Sequence, residues 1–372
     1  MQPPELSNAA PTAPQHPALM TLIRRQIAQA GGWLPFDRFM ALALYAPGMG
    51  YYANDLRKFG HMPQSGSDFV TAPELSPWFG RALAVQVRQA LQVTHTQAVW
   101  EFGAGTGALA QQLLDALGDQ VQRYTIVDLS GSLRARQQEA LQAHAHKVHW
   151  VDHLPDAMQG VVVGNEVLDA MPVQLLARVN GVWHERGVVW DEASAQLRHA
   201  DRVTSLRPSV QVEGAHDYVC EIHPQAEAFV RTLADRLQNG AAFFIDYGFP
   251  EAEYYHPQRH MGTLMCHQLH RSDGNALADV GSKDITAHVN FTGVALAAQE
   301  AGLQVLGYTS QAHFLMNCGL PDLLHDADFA QRHMAQKLIT EHEMGELFKV
   351  IALGTSEWEP LGFVSGDRSH RL

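Results

Sequence analysis

The sequence predicts an α/β protein built on a mostly parallel, twisted sheet with helices on both faces. From residue 98 onwards, short apolar runs rich in β-branched residues alternate with patterns of helical spacing, as in sheets buried on both faces. A glycine-rich turn follows the first apolar run, and Asp128 follows the second. Because open α/β sheets bind ligands at this edge, the combination favours a Rossmann-like arrangement.

The predicted strands and helices alternate along most of the chain. The expected strands are 98–102, 123–129, 148–151, 161–164, 241–245, 304–308 and 347–353. The expected helices are 108–117, 133–143, 225–237, 291–301 and 328–343, where apolar residues recur at helical spacing.

The domain organisation follows from what surrounds this alternation. Residues 1–18, rich in Pro and Ala, predict a disordered tail, and 19–92 predict a helical region with helices at 19–30, 35–44 and 76–91. The Rossmann-like domain covers 93–372, with insertions after its fourth and fifth strands. The first insertion, 172–217, contains a predicted hairpin around Asn180-Gly181. The second, 249–290, is either a lid or an irregular surface loop; we favour the lid because long ordered loops are usually functional.

Composition excludes several classes of protein. The net charge is −13 and no basic run occurs, which argues against a nucleic-acid-binding surface. Three widely spaced cysteines fit neither a disulfide framework nor a CxxC site and suit a reducing compartment. The first twenty residues lack Lys, Arg and a continuous apolar run, and no stretch is long enough to span a bilayer. We expect a protein of a bacterial-type cytoplasm without membrane insertion.

The glycine turn at 101–107 (EFGAGTG) is the sharpest chemical signal. Its glycines permit positive φ and close approach of a ligand to the backbone. The spacing is G-x-G-x-G, whereas dinucleotide loops have G-x-G-x-x-G. Glu101 would repel a pyrophosphate but can bind the amino end of a methionine moiety, so the turn favours S-adenosylmethionine. The predicted cofactor contacts here are Glu101, Gly103, Ala104, Gly105 and Gly107.

Two aspartates at strand ends extend the predicted cofactor site. Asp128, with Leu129 beside it, is placed to accept hydrogen bonds from both ribose hydroxyls. The alternative is that Asp128 caps the helix beginning near Ser130. Asp152 follows the third strand and either faces the adenine or caps the turn before Pro155.

Polar residues also end the fourth strand abruptly. Asn165 and Glu166 follow an apolar run, and in this architecture that strand end lies beside the transferable methyl group. We therefore predict that they orient the methyl acceptor. Asp169 is a further catalytic candidate, although a helix or turn cap is the stronger interpretation of that residue.

Five stretches carry a resemblance to a known family. They are 68–77 (DFVTAPELSP), 101–107 (EFGAGTG), 165–172 (NEVLDAMP), 245–248 (IDYG) and 283–291 (KDITAHVNF). Through them the chain resembles the MidA family of methyltransferases, whose mitochondrial members act in the assembly of respiratory complex I. The glycine turn is common to methyltransferases in general, and the other four stretches are specific to this family.

The resemblance implies methyl transfer from S-adenosylmethionine to an arginine of a partner protein, giving symmetric dimethylarginine in the mitochondrial members. It also implies that 71–76 border the cofactor and the acceptor channel, which makes Thr71, Pro73 and Glu74 cofactor-binding candidates, and that Glu166 lies nearest the acceptor. The chain departs from the family at 167–168 (VL), where aromatic residues are frequent, and at Asp128, where glutamate is frequent.

The histidines suggest two further possibilities. His256, His260, Cys266, His267 and His270 crowd the second insertion and could hold zinc, but their spacing matches no metal motif, and we predict no metal site. His288 lies in a family-like stretch and is a catalytic candidate; a buried, hydrogen-bonded histidine is the alternative.

Together these observations predict an S-adenosylmethionine-dependent methyltransferase acting by direct in-line displacement. The expected acceptor is an arginine of a partner protein, a respiratory complex I subunit or its bacterial counterpart. The alternatives are a small-molecule methyltransferase, which would need a closed acceptor pocket, and a non-catalytic assembly chaperone that retains the cofactor site. The glycine spacing argues against a dehydrogenase.

Overall fold

The computed structural model describes residues 16–54, 70–128, 131–268 and 271–372. The predicted tail at 1–18 lies almost entirely outside these ranges, as do Asp68, Phe69, Leu129 and His270. None of the helices in the described ranges is long and apolar enough to cross a bilayer.

The N-terminal part of the chain contains four helices and one short strand in the described ranges. These are α1 (Pro17–Gln29), β1 (Leu34–Pro35), α2 (Phe36–Tyr45), α3 (Ala72–Leu75) and α4 (Pro77–Thr94). The side chain of Ser76 accepts a hydrogen bond from the N–H of Trp78 at 3.4 Å, and Pro77 occupies the first helical position of α4. This is the start that the sequence predicts, because proline loses no hydrogen bond there.

The alternating part begins with strands that pair in parallel. Its elements are β2 (Ala98–Phe102), α5 (Ala108–Leu117), β3 (Arg123–Val127), α6 (Gly131–Ala140), β4 (Val148–Val151) and β5 (Met158–Asn165). Strand β2 pairs in parallel with β3 and β5, and β3 pairs in parallel with β4.

The first insertion forms an antiparallel sheet. Its strands are β6 (Gln174–Val179), β7 (Val182–Asp191), β8 (Gln196–Val203) and β9 (Tyr218–Ile222). Asn180 and Gly181 join β6 to β7, and both have positive φ, 48° and 78°, as the tight hairpin turn requires. The insertion is larger than the predicted hairpin, because β7 also pairs with β8 and β6 also pairs with β9.

The second insertion is partly regular. It follows α7 (Pro224–Arg236) and β10 (Leu237–Phe249), and it contains α8 (Glu251–Tyr254), β11 (Met265–Gln268), β12 (Arg271–Asp273) and β13 (Asp284–Thr286). Strand β11 pairs with both β12 and β13 in antiparallel fashion.

The C-terminal part completes the central sheet. Its elements are β14 (Val289–Asn290), α9 (Phe291–Glu300), β15 (Gln304–Ser310), α10 (Gln311–Asn317), α11 (Leu320–Leu323), α12 (Phe329–Ile339) and β16 (Phe348–Gly354). The helix predicted at 328–343 ends at Ile339, and a wider helical turn follows at Glu341–Gly345.

The central sheet has the order β4-β3-β2-β5-β10-β16-β15, with β14 also paired to β10. Strand β16 runs antiparallel to both of its neighbours, and the other strands of the path are parallel. The predicted Rossmann-like fold with a mostly parallel sheet is therefore confirmed. The carboxyl ends of the parallel strands lie at one edge of the sheet, and these strands include β2, β3, β5 and β10.

Alternate residues of each central strand are buried on opposite faces of the sheet. In β5, Val161 and Val163 pack in a core with α4 and α5, whereas Val162 packs in a second core with α7 and α9. Burial on both faces explains why the strands are continuous apolar runs.

A third core lies beside the central sheet and joins distant parts of the chain. It combines residues of α1 and α2 with Leu175 of β6, Val188 of β7 and Ile285 of β13. The region predicted at 19–92 therefore divides: α1 and α2 pack on the insertions, and α4 packs on the central sheet.

Close backbone contact between strands makes Gly160 sensitive to substitution. Its φ is +119°, and a Cβ there would lie 2.2 Å from the carbonyl oxygen of Ala98. We expect Gly160→Ala to lower the free energy of unfolding by about 2 kcal/mol or more, because rigid backbone atoms must move. Urea denaturation measures this. Gly274→Ala, where nothing lies within 4 Å of the new Cβ, should be nearly neutral; equal losses in the two variants would contradict the explanation.

Candidate active site

A cavity of about 1340 Å³ lies at the carboxyl edge of the central sheet. Most of the residues predicted from the sequence line it: Thr71, Pro73, Glu74, Glu101, Gly103, Ala104, Gly105, Asp128, Asp152, Asn165, Glu166, Asp169 and His288. Gly107 does not, because it begins α5 and faces α6. The cavity wall thus brings together residues as far apart in the chain as Thr71 and His288.

The glycine turn has the backbone conformation that its sequence suggests. Gly103, Gly105 and Gly107 have φ values of 62°, 52° and 90°, which residues with a Cβ rarely adopt. The turn joins the end of β2 to the start of α5, so its backbone forms part of the cavity wall.

Glu101 precedes this turn and is almost completely buried. Its carboxyl group accepts a hydrogen bond from the Tyr124 hydroxyl at 2.7 Å. Burial raises the pKa of Glu101 to about 8, because a charged carboxylate loses its hydration there. A cationic group in the cavity would favour its ionised form.

Asp128 lies at the tip of β3, on the wall beside the glycine turn. Its Oδ2 accepts a hydrogen bond from Nε2 of Gln137 at 2.9 Å. The same nitrogen donates to the carbonyl oxygen of Gly105 at 3.0 Å. The predicted ribose carboxylate and the glycine turn are therefore linked through the buried side chain of Gln137, which no sequence pattern indicates.

Helix α3 is tied to the glycine turn, which places the predicted 71–74 segment on the cavity wall. The Thr106 hydroxyl donates to Glu74 at 3.0 Å. Nε2 of Gln112 donates to the carbonyl oxygen of Pro73 at 2.7 Å. Asp152 lies elsewhere on the wall, exposed, with its carboxylate 2.6 Å from Nδ1 of His153.

Asn165 is the last residue of β5, and Glu166 begins the loop that follows. Nδ2 of Asn165 donates to the Glu166 carboxyl at 2.9 Å, and the N–H of Glu166 donates to the carbonyl oxygen of Ile245. Glu166 has a φ of 55°, a left-handed conformation that is uncommon for residues with a side chain and often occurs at functional sites.

Asp246 holds this loop in place. Its Oδ2 accepts hydrogen bonds from three successive N–H groups, those of Val167, Leu168 and Asp169, at 3.1, 2.9 and 3.3 Å. Its Oδ1 accepts a further one from the N–H of Tyr247. Burial and the nearby carboxyl groups of Asp169 and Glu166 raise the pKa of Asp246, and the N–H groups of Leu168 and Asp169 act in the opposite direction by stabilising the ionised form.

Asp169 has more than the capping role that the sequence favours. It is buried, lines the cavity and accepts a hydrogen bond from the Tyr247 hydroxyl. Burial raises its pKa to about 6, and Tyr247 and the N–H of Ala170 oppose this shift. The carboxyl group thus faces the site as well as its own turn.

The cavity wall is strongly acidic. Its carboxylic residues are Asp37, Glu74, Glu101, Asp128, Asp152, Glu166, Asp169 and Asp284. Burial and the nearby Asp169 raise the pKa of Glu166 to about 8. In the described ranges, Arg38 is the only lysine or arginine of this wall, and it is exposed. Such a wall favours a cationic ligand.

Two tyrosines from the N-terminal part form another section of the wall. The rings of Tyr45 and Tyr52 stack with their centroids 5.6 Å apart. The Tyr52 hydroxyl donates to the Asp284 carboxylate at 2.8 and 2.9 Å, and the Tyr45 hydroxyl donates to the carbonyl oxygen of Ala170 at 2.8 Å. Sequence reasoning missed both, because Tyr45 ends an ordinary amphipathic helix.

His288 lines the cavity between two aromatic rings. It stacks on Phe249 at 5.3 Å and meets Tyr247 edge-on at 5.1 Å. Burial lowers its pKa to about 4, so its imidazole is neutral at physiological pH. Of the other histidines and the cysteine of the second insertion, His267 lines the cavity, Cys266 is buried, and His256 and His260 are exposed. No group of three or more potential metal ligands comes together within the described ranges.

Comparison with known proteins identifies the family. Residues 80–309 match the profile of a family described as putative S-adenosyl-L-methionine-dependent methyltransferases. The chain belongs to this family. The resemblance to MidA-type methyltransferases is thereby confirmed, and the cofactor is S-adenosylmethionine.

The relatives agree with this assignment. A crystal structure of a methyl transferase candidate from Burkholderia thailandensis, bound to S-adenosyl-homocysteine, is 51% identical, covers 96% of this chain and 97% of its own, and superposes with a TM-score of 0.92. The mitochondrial protein arginine methyltransferase NDUFAF7 of Danio rerio is 28% identical over 87% of this chain and 84% of its own. Its homologue in Drosophila melanogaster is 28% identical over 94% and 87%.

The predicted ribose contact of Asp128 can be tested by binding. Asp128→Ala should weaken S-adenosylhomocysteine binding by about 1–3 kcal/mol, because the ribose hydroxyls lose a charged acceptor. Titration calorimetry measures this. Asp115→Ala on α5, whose partner is His144, is the control and should bind normally. Unchanged affinity in Asp128→Ala would rule out the contact.

The raised pKa of Glu166 predicts a pH-dependent stability. Between its ordinary value of 4.5 and about 8, the unfolded chain has lost the proton that the folded protein retains. The contribution of Glu166 to stability therefore falls as the pH rises through this window. Glu166→Gln should raise the Tm of the ligand-free protein more at pH 8 than at pH 5. An equal change at both values would contradict the shift.

Proposed function

We propose that this methyltransferase modifies an arginine side chain of a partner protein. The observation that carries the proposal is the pair of carboxyl groups on one loop, Glu166 and Asp169, in an acidic cavity beside the glycine turn. A guanidinium is planar, cationic and rich in N–H donors, which suits two neighbouring carboxylates. The curated relatives named as protein arginine methyltransferases point the same way.

The residues of the other half of the cavity suit the cofactor. We assign Glu101 to its amino group, Gly103, Ala104 and Gly105 to its methionine portion, and Asp128 to its ribose. Segment 71–74 borders the methionine portion through the bond between Glu74 and Thr106. When bound, S-adenosylmethionine supplies a methyl group that its sulfonium already activates.

The protein then has to position and activate the acceptor. As the guanidinium arrives, Glu166 loses its proton to the solvent; its carboxylate then binds the guanidinium and concentrates electron density on the attacking nitrogen. Asn165 fixes the Glu166 carboxyl, and Tyr247 fixes Asp169. Methylation of a guanidinium releases one proton, and Glu166, with its raised pKa, is the nearby group suited to accept it.

The cavity is large enough to hold both reactants. Small-molecule sites usually have about 300–1000 Å³, and this cavity has about 1340 Å³, so the cofactor and an acceptor side chain fit in it together. As the MidA resemblance implies, we take the partner to be a respiratory complex I subunit or its bacterial counterpart. The three cysteines are buried free thiols, in keeping with a cytoplasmic protein.

The role of Glu166 can be tested by catalysis. Glu166→Gln keeps the shape of the side chain and removes its charge, so S-adenosylhomocysteine should still bind. Methyl transfer should fall about tenfold to a thousandfold, the range expected for losing a charged contact at a reacting centre. The assay follows labelled methyl groups from S-adenosylmethionine into proteins of a lysate.

Glu185→Gln on β7 is the matched control, since Glu185 is not part of the cavity wall, and it should transfer normally. Mass spectrometry of the labelled band identifies the modified side chain. Undiminished transfer by Glu166→Gln would refute the assigned role, and a methyl group on anything other than arginine would refute the proposed acceptor.

A further inference from the structure

Gln137 is a fully buried side chain of α6 that takes no part in the cavity wall. All its polar atoms are nevertheless used. Its Nε2 donates to Oδ2 of Asp128 at 2.9 Å and to the carbonyl oxygen of Gly105 at 3.0 Å. Its Oε1 accepts from Nε1 of Trp150 on β4 at 2.9 Å. One amide thus connects the loops that follow β2 and β3 to strand β4.

We propose that Gln137 is a positioning residue that sets the affinity for S-adenosylmethionine by fixing Asp128 and the glycine turn relative to each other. The inference rests on the cofactor contacts proposed above for Asp128 and Gly105. It adds that those contacts depend on a side chain that does not touch the cofactor.

The chemistry of the amide makes this arrangement specific. The indole N–H of Trp150 can only donate, so it requires the oxygen of the Gln137 amide on its side. The NH₂ group then faces Asp128 and Gly105, and each of its two hydrogens has one acceptor. A flipped amide would bring its oxygen against two acceptors and an amino group against an N–H donor. Trp150 therefore fixes the orientation of the donor pair.

The packing of α6 supports the same conclusion. A Cβ on Gly107 would lie 3.5 Å from Cα of Gln137 and 3.6 Å from Leu141. The helix is therefore packed against the third glycine of the turn. This contact explains why Gly107 belongs to the motif without lining the cavity.

The energetic consequence concerns the ligand-free state. The bond from Gln137 restricts the rotation of the Asp128 carboxylate before the ribose arrives, so less freedom is lost on binding. Without it, Asp128 would keep its charge and its other contacts but lose its link to the carbonyl oxygen of Gly105. The expected effect is a loss of affinity with a fold that remains intact.

The first test is calorimetric titration of S-adenosylhomocysteine into the purified full-length protein. Gln137→Met keeps the side-chain length and removes the three hydrogen bonds, and we expect a loss of affinity of about tenfold. Gln86→Met is the matched control. Gln86 is also a fully buried glutamine with two side-chain bonds, to Gln89 and Gly362, but these bonds involve neither cofactor loop, and Gln86 is not part of the cavity wall. It should lose stability without losing affinity.

The second test separates positioning from general destabilisation. If Gln137 acts through Asp128, then in an Asp128→Ala background Gln137→Met should cost less than threefold in further affinity, because its target is gone. Gln137→Glu, which accepts from Trp150 but places a charge against Asp128, should weaken binding more than Gln137→Met. Gln137→Glu is also the variant to be measured if Gln137→Met does not fold.

Each outcome is decisive. Wild-type affinity in a folded Gln137→Met or Gln137→Glu protein would overturn the inference and leave the role of Asp128 standing. The inference would also be overturned if the loss of affinity in the double variant equalled the product of the losses in Asp128→Ala and Gln137→Met. Wild-type affinity in Asp128→Ala alone would overturn the proposed ribose contact, and the inference with it.

Discussion

The hydrogen bonds to the carboxylate of Asp246 hold the loop after β5, and the part of the cavity wall around Glu166 and Asp169 depends on them. Three successive N–H groups of the loop after β5 converge on one of the oxygens of Asp246. A loop of this shape has no regular partner for those groups, and burying them unpaired would cost several kcal/mol. By satisfying them, Asp246 allows Glu166 to adopt a left-handed conformation and directs Asp169 towards Tyr247. A residue of strand β10 therefore fixes the conformation of the loop that follows β5.

The parts of the site that the sequence predicted are those whose signal is local. The glycine turn, Asp128, Asn165 and Glu166 each follow an apolar strand directly, and parallel strands bring such ends to one edge. The fold followed from the same alternation of strands and helices. The hairpin turn was equally local, because Asn180 and Gly181 suffice to specify it.

The parts that escaped prediction depend on contacts between distant segments. Gln137 lies on a helix of mostly polar residues, where one more glutamine carries no signal. Its contacts with Asp128 and Gly105 arise only because that helix packs on the glycine turn. Strand β1 has only two residues, which is too short for a strand pattern in the sequence. It pairs with β7, about 150 positions further along the chain. Asp246 and Tyr247 belong to a family-like stretch, but the sequence of that stretch does not indicate that they bond to the loop after β5. Asp169 was interpreted as a cap because its own neighbourhood allows one.

The shared core of α1, α2 and the insertions has a consequence for the order in which the protein is assembled. Tyr52 and Asp284, which meet on the cavity wall, are 232 residues apart in the chain, whereas the loops that follow β2 and β3 lie within a few dozen residues of one another. During synthesis the N-terminal wall must therefore wait for the second insertion to leave the ribosome, and the central sheet must wait for β16. A nascent chain keeps an open cavity, with an unpaired edge on β10 beside it, until nearly all of the chain has been made.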